Sequence, residues 1–305
     1  MNILGLLTGI GLLIGVGGNT VHQMERHASN DIRTLLRSPN AKVRTRLMID
    51  GPINGPFGVL QSVQVFAQDF TISALPLFVE PWRAKDGWIK SLDITFSNFS
   101  LAGLRVESLH AQIPDCRYDF GFARKTRSVR LSKSGAGRGT IVVKIADMEA
   151  YALHKFREIK SISLEFFGSR VLAKGRATLL MKEYGFEILS GYAVQGKRQL
   201  VLVQPKIWMD GRRATPAIAA AVTKLLTPVL HLDRDLKLFG AFDIESIQFN
   251  GDRVIISGPM RIPAFPVFYA NAGSSQSACE SPFLALLATT GSSASASASQ
   301  LPVRR

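Results

Sequence analysis

Four carboxylates, Asp233, Asp235, Asp243 and Glu245, fall close together in the chain. Acids grouped in this way can do general acid–base work when their surroundings separate their pKa values, although they are more often solvated turn residues. The five histidines, His22, His27, His110, His154 and His231, are scattered, and no His-Glu-x-x-His pair offers a zinc site. His231 follows an apolar helix and reads as a partner for that helix's C-terminal carbonyls. No Gly-x-Ser-x-Gly elbow presents a nucleophile, and no glycine-rich loop ends in Gly-Lys-Ser or Gly-Lys-Thr to cradle phosphate. Cys116 and Cys279 allow one bridge or, more simply, two free thiols, and they exclude a cysteine-rich metal site. The expectation is a protein without catalysis, metal or cofactor.

Binding chemistry is better represented. The formal net charge is +14, an excess that favours an anionic partner, either nucleic acid or an anionic membrane surface. Arg124, Lys125, Arg127, Arg130, Lys133 and Arg138 cluster with no acid among them and run into Ser134–Gly139, which reads as a flexible loop. Such a loop can dock on anionic headgroups at about 1 kcal/mol per cation; the competing reading is a solvated hairpin loop. Nucleic-acid binding would interleave cations with exposed aromatics. Here Phe96, Phe166, Phe186 and Phe242 alternate with other apolar residues as core positions do, so no nucleic acid is expected.

The apolar counterpart is a helix with almost no polar face. It starts near Thr215, runs from Pro216 through Leu226, and is followed by Pro228, Val229, Leu230 and Leu232. Ile218, Val222, Leu225 and Val229 recur at helical spacing, and Leu226 and Leu230 widen the stripe. Surface helices normally carry charge on their outer face, so this one is expected to be buried on most sides. A groove between it and a sheet, lined by Ile218, Val222, Leu225, Leu226 and Val229, would hold an acyl chain at about 0.8 kcal/mol per methylene. Arg212 and Arg213, just before the N-cap, would hold a phosphate beside the positive end of the helix. The alternative is plain core, packed at normal density with no cavity.

These residues need elements to position them. Residues 20–40 read as helix through Val21, Met24, Ile32, Leu35 and Leu36, stopped at Ser38-Pro39-Asn40. From Lys42 the period becomes two, with Val43, Thr45, Leu47 and Ile49 on one face. A turn over Gly51–Pro56 leads to a strand over Val59–Phe66; residues 74–86 read as loop, and strands follow at Trp88–Phe99 and Leu104–His110. Thr140–Ile145 is a strand, and Asp147 sits as the N-cap of a helix to Phe156. Further strands are expected at Ile159–Phe167, Arg170–Lys174, Arg176–Met181, Phe186–Val194, Gln199–Met209, Ala241–Asn250 and Arg253–Ser257. Short turns between them predict a meandering antiparallel sheet.

At the N-terminus, Ile3 to Val16 is apolar apart from Thr8 and glycines, and no charge precedes Glu25. A signal peptide, an uncleaved anchor or an amphipathic hairpin lying in the membrane all fit, against a buried soluble helix. A basic stretch before the apolar run is missing. Arg26, Arg33, Arg37, Lys42, Arg44 and Arg46 follow it, a flank that the positive-inside rule would keep cytoplasmic if the segment is uncleaved. From Pro259 the pattern dissolves, and Gly273 to Arg305 is rich in Ser, Ala and Gly and expected to be mostly disordered. The expected division is an apolar signal or anchor at 1–18, a helical connector at 19–40, a β/α domain at 41–258 and a low-complexity tail at 259–305.

Several segments in order carry a resemblance: Gly139–Ile145, Asp147 opening a short helix, Gly185-Phe186-Glu187-Ile188-Leu189-Ser190-Gly191, Leu200-Val201-Leu202-Val203-Gln204-Pro205, the apolar helix, and Val254-Ile255-Ile256-Ser257-Gly258. Val106-Glu107-Ser108-Leu109 adds to it upstream. Together they resemble the LmeA-like phospholipid-binding family of bacterial envelope proteins over about residues 42–258, most closely over 139–258. The resemblance implies an α+β, mostly β fold similar to tubular lipid-binding proteins, with a curved antiparallel sheet wrapped around a long apolar helix. It also implies a membrane-associated, non-catalytic protein of the cell envelope that binds phospholipid or a related amphiphile, with lipid transfer as one use of that binding. The chain departs from the family in its basicity and its Ser-Ala tail. A membrane-anchored structural or interaction module with a filled core is the alternative reading, and an enzyme acting on envelope lipid a distant third.

Overall fold

The computed structural model describes residues 21–264, apart from 35, 37, 180 and 181. The apolar segment expected at 1–18, Cys279 and the tail from 265 onward lie outside the described residues. In chain order the elements are α1 (residues 21–34), β1 (Lys42–Ile49), α2 (Gly51–Asn54), β2 (Val59–Ile72), β3 (Gly87–Leu101), β4 (Leu104–Tyr118), α3 (Phe120–Thr126), β5 (Leu131–Lys133), β6 (Gly137–Lys144), α4 (Ile145–Lys155), β7 (Ile159–Phe167), β8 (Arg170–Leu179), β9 (Lys182–Gln195), β10 (Gln199–Met209), β11 (Arg212–Arg213), α5 (Pro216–Leu226), β12 (Leu230–His231), α6 (Leu232–Asp235), β13 (Ser246–Asn250) and β14 (Arg253–Met260). The fold is α+β and mostly β.

Two sheets form. The first runs β1-β2-β3-β4-β6-β14-β13, with β5 beside β4; the second runs β11-β10-β9-β8-β7, with β12 beside β10. Among the described strands all pairings are antiparallel except β2 with β3, which are parallel from Val59↔Trp88 to Ile72↔Leu101. The expected simple meander is corrected there: the loop before β3 carries the chain back to the end of the sheet where β2 began.

The first sheet is curled by β-bulges aligned across strands. Register skips Asp69 and Asn98 between β2 and β3, and Lys90 and Asp115 between β3 and β4. Asp69, Asn98 and Asp115 take left-handed backbone angles (φ 60°, 48° and 50°), which Asn and Asp tolerate better than most residues. Each bulge swaps the inward parity. The buried series in β4 is therefore Leu104, Val106, then Leu109, Ala111, Ile113, then Cys116 and Tyr118. This slip is why strict alternation ends the expected strand at His110 while the real one continues to Tyr118.

The buried face of this sheet is filled by side chains, including Leu36, Val79, Leu232, Leu236, Leu238, Phe242 and Ile262 from segments that pack on it. Phe70, Phe96 and Phe99 form an edge-to-face and stacked cluster within it. α1 covers the free edge at β1, where Ser29 Oγ accepts from Thr45 N and Glu25 Oε1 accepts from Leu47 N. Edge-strand donors that would otherwise invite another chain are thus occupied.

Other expectations are corrected in detail. Asp147 is not the N-cap of α4; β6 runs straight to Lys144, which holds the cap position, and Asp147 sits in the first turn, where its charge suits the helix dipole. Gly175 does not divide β8: it lies so close to Ser161 O of β7 that any Cβ would overlap it. Ser134–Gly139 is not a flexible loop. Cβ atoms at Gly135 and Gly137 would overlap Pro114 O and Gln112 O, so these glycines let β6 press against β4. Ala241–Glu245 is no regular strand. It links the sheets instead, with Ile244 N donating to Lys197 O while Asp243 N and Glu245 N donate to Pro259 O and Ser257 O.

Candidate functional site

α5 begins as the sequence predicts, with Thr215 Oγ1 accepting from Ile218 N and Pro216 in the first turn. Its surroundings differ from the expectation of burial on most sides. β11 pairs with Trp208 and Met209 at one end of β10, and β12 pairs with Gln199 and Leu200 at the other. Ala214 N donates to Ile207 O and Val229 N to Leu200 O, so the helix is pinned at both ends along one edge of β10. A sheet edge covers only one side of a helix. α5 accordingly holds no buried residue. Ile218 is 44% exposed and Leu225 48%, while Val222, Leu226 and Val229 are half-buried. Arg212 and Arg213 are exposed in β11, immediately before the helix.

The other basic group lies on the first sheet, so the structure does not gather the candidate cations into one site. Arg124 and Lys125 end α3, and Arg127 is its left-handed C-cap. Arg124 lies over the Phe120 ring at 5.7 Å, and Arg127 Nε donates to Gln23 Oε1 of α1 at 2.7 Å. Arg130 approaches Glu80 at 3.9 Å. Lys133 pairs with Asp115 and Arg138 with Glu245. The start of the expected basic stretch, Arg124 to Arg127, is therefore the end of a capped helix, and all four of Arg124, Lys125, Arg127 and Arg130 remain exposed.

The carboxylates that could have formed a catalytic pair are each held by a cation. Arg198 donates to Asp243 at 2.8 Å and to Asp233 at 3.1 Å. Asp235 is engaged by the Lys155 ammonium and accepts from His231 N at 2.9 Å. Desolvation pushes the Asp235 carboxyl up, but the hydrogen bonds from Lys155, His231 N and Arg234 outweigh it and leave the group below its ordinary range. Burial and the nearby Asp235 charge push the Tyr151 hydroxyl up to about 12. His231 Nδ1 accepts from Asp233 N and Arg234 N, so it caps the start of α6 and not the end of α5. Cys116 is wholly buried, and burial pushes its thiol up. Among the described residues no group of three His, Cys, Asp or Glu side chains could hold a metal ion, and no helix is long and apolar enough to cross a membrane.

A second apolar feature escaped the sequence reading. An open cleft of about 680 Å³ lies between β7 and β13, lined by Leu164, Phe166, Tyr192, Ile247 and Phe249. Phe166 stacks on Phe249 at 4.0 Å, and Tyr192 meets Phe249 edge-on at 5.3 Å. These residues come from both sheets, and no spacing in the chain announces that they meet. The chain matches no protein-family model, no curated protein and no solved structure.

Proposed function

We propose that this chain is a membrane-associated, non-catalytic phospholipid-binding protein whose acyl-chain contact is the exposed stripe of α5. The observation that carries this reading is the pairing of uncovered apolar surface with cations. Ile218 and Leu225 face solvent, Arg212 and Arg213 stand before the helix, and Lys224 is its only charged residue. An amphiphile with an anionic head and an acyl tail complements that arrangement. Tail burial gains about 0.8 kcal/mol per methylene, and the positive helix end with its arginines suits a phosphate. The LmeA-like resemblance supports the same chemistry. The first sheet is filled by protein side chains, so the lipid role is assigned to the second sheet and its edge helix. Lipid extraction of gently purified protein followed by mass spectrometry, together with uptake of a fluorescent short-chain phospholipid, tests it. Bound phospholipid and saturable uptake are expected; protein that carries none and takes up none overturns the proposal.

A further inference from the structure

One end of the first sheet carries large apolar side chains in the open. β1 ends at Ile49, β2 begins at Val59, β3 begins at Gly87 and β4 ends at Tyr118, and the pairings Ile49↔Leu60, Val59↔Trp88 and Gly87↔Tyr118 place all four at the same end. Three connections therefore cluster there: the 50–58 turn, the loop before β3, and the segment that holds α3. They touch one another. Gly58 sits so close under the Phe120 ring that a Cβ would meet it at 2.6 Å, Phe120 N donates to Asp86 Oδ1, and the Arg83 guanidinium lies 4.3 Å from the Phe122 ring centre. On this end Ile53 is 77% exposed, Phe57 72% and Trp82 63%, with Met48 and Ile49 beside them also exposed. Single exposed apolar residues are ordinary; a group of them on neighbouring connections marks an interaction surface.

The charge around this group chooses the partner. The segments 50–58, 80–86 and 119–130 contain Arg83, Lys85, Arg124, Lys125, Arg127 and Arg130 against four carboxylates, Asp50, Glu80, Asp86 and Asp119. Every one of those carboxylates is engaged: Asp50 by Lys90, Glu80 by Arg83, Asp86 by Phe120 N and Asp119 by Phe122 N. Among the described residues Arg124, Lys125 and Lys85 are exposed and take part in none of the ion pairs of these segments. Aromatic and aliphatic tips rimmed by cations fit the interface of an anionic bilayer, where Trp is favoured and each nearby cation adds about 1 kcal/mol. The start of α1 lies at the same end, since Gln23 accepts from Arg127.

We infer that this end of the first sheet docks on an anionic phospholipid bilayer, with Ile53, Phe57 and Trp82 as its inserting wedge and Arg124 and Lys125 as headgroup contacts. The inference rests on the membrane association proposed above, and not on the acyl contact at α5. Full-length wild-type protein and a Trp82→Phe variant are mixed with vesicles of phosphatidylglycerol and phosphatidylcholine, with brominated acyl chains as quencher. Wild-type emission is expected to shift to the blue and be quenched, and the Trp82→Phe variant to lose that component. An Ile53→Ser, Phe57→Ser, Trp82→Ser variant, whose changes are all on exposed side chains, should partition at least about tenfold less. Replacing Arg124 and Lys125 by Gln should weaken binding to anionic vesicles only. Quenching that persists unchanged in Trp82→Phe, or a triple variant that partitions as wild type does, overturns the inference, and an unresponsive Trp82 assigns the surface to a protein partner instead. The triple variant should still take up soluble short-chain phospholipid; wild-type protein without uptake sinks the α5 reading and leaves this one standing.

Discussion

Replacing Ile218 and Leu225 together by Ser tests the acyl contact most directly. A fully buried Leu or Ile side chain is worth about 1.5–3 kcal/mol. The structure leaves 44% of Ile218 and 48% of Leu225 uncovered, so an acyl chain that covers the remainder gains about 0.7–1.4 kcal/mol at each. The double substitution should weaken binding by about 1.5–3 kcal/mol, which is roughly 10- to 150-fold. The half already covered by β10 sets a similar cost in folding, and a domain of this size loses about 2–4 °C per kcal/mol. The melting temperature should therefore drop by roughly 5–10 °C while the protein stays folded at 25 °C. The assay is titration with a fluorescent short-chain phospholipid below its critical micelle concentration, with Ala220→Ser as a control on the same helix. An affinity within about twofold of wild type, in protein that still melts cooperatively, would refute the assignment of α5.

Three further outcomes follow from the ion pairs and close contacts. Lys155→Met removes the ammonium from Asp235 and leaves it the exposed Arg234 and the His231 N–H, so it should cost about 1–3 kcal/mol in urea unfolding, the range for a buried acceptor that loses one partner; adding Asp235→Leu should recover part of that loss, and strict additivity would show that the pair is not coupled. The depressed Asp235 carboxyl contributes stability that is fully present above its unfolded value near pH 4 and is lost as pH falls through the lower folded value; urea midpoints measured from about pH 5 to pH 2 should fall less steeply in Asp235→Asn than in wild type. Gly137→Ala would drive a Cβ into Gln112 O of β4; thermal melts should show a loss of several kcal/mol or no soluble protein, whereas Gly168→Ala, with open space around it but a positive φ, should cost only about 1 kcal/mol.

The strands were legible where period two held. In β1, Val43, Thr45 and Leu47 all turn inward; β7 and β10 also begin and end where expected, although each carries a register shift, at Ile159/Ser161 and at Val203/Lys206. Legibility failed at the bulges, because Asp69, Asn98 and Asp115 each reverse the inward parity and break the pattern that alternation depends on. Parallel pairing of β2 with β3 left no mark either, since side-chain alternation is the same in both directions. The site was legible only in part. Apolar spacing located α5 and its cap, but the cleft at Phe166 and Phe249 joins residues far apart in sequence. The wedge at Ile53, Phe57 and Trp82 has no period and lies within turns that read only as connections.

The helix also shows why polarity alone could not place it. An apolar stripe requires that something cover it, and the inference of burial assumed that the cover comes from the same chain. β11 and β12 fix both ends of α5 to a single strand edge, and an edge has no second layer to close over the outer face. Filling the gap with protein would require another element on that side, and among the described residues α5 packs against β10 alone to any extent. The uncovered stripe and the wedge at the opposite sheet then share one physical requirement, an apolar partner beside cations. On the proposed reading a bilayer meets that requirement at the wedge, and a bound phospholipid meets it at α5. The two surfaces make separate demands on the same experiment: vesicle partition should follow Trp82, and uptake of soluble lipid should follow Ile218 and Leu225.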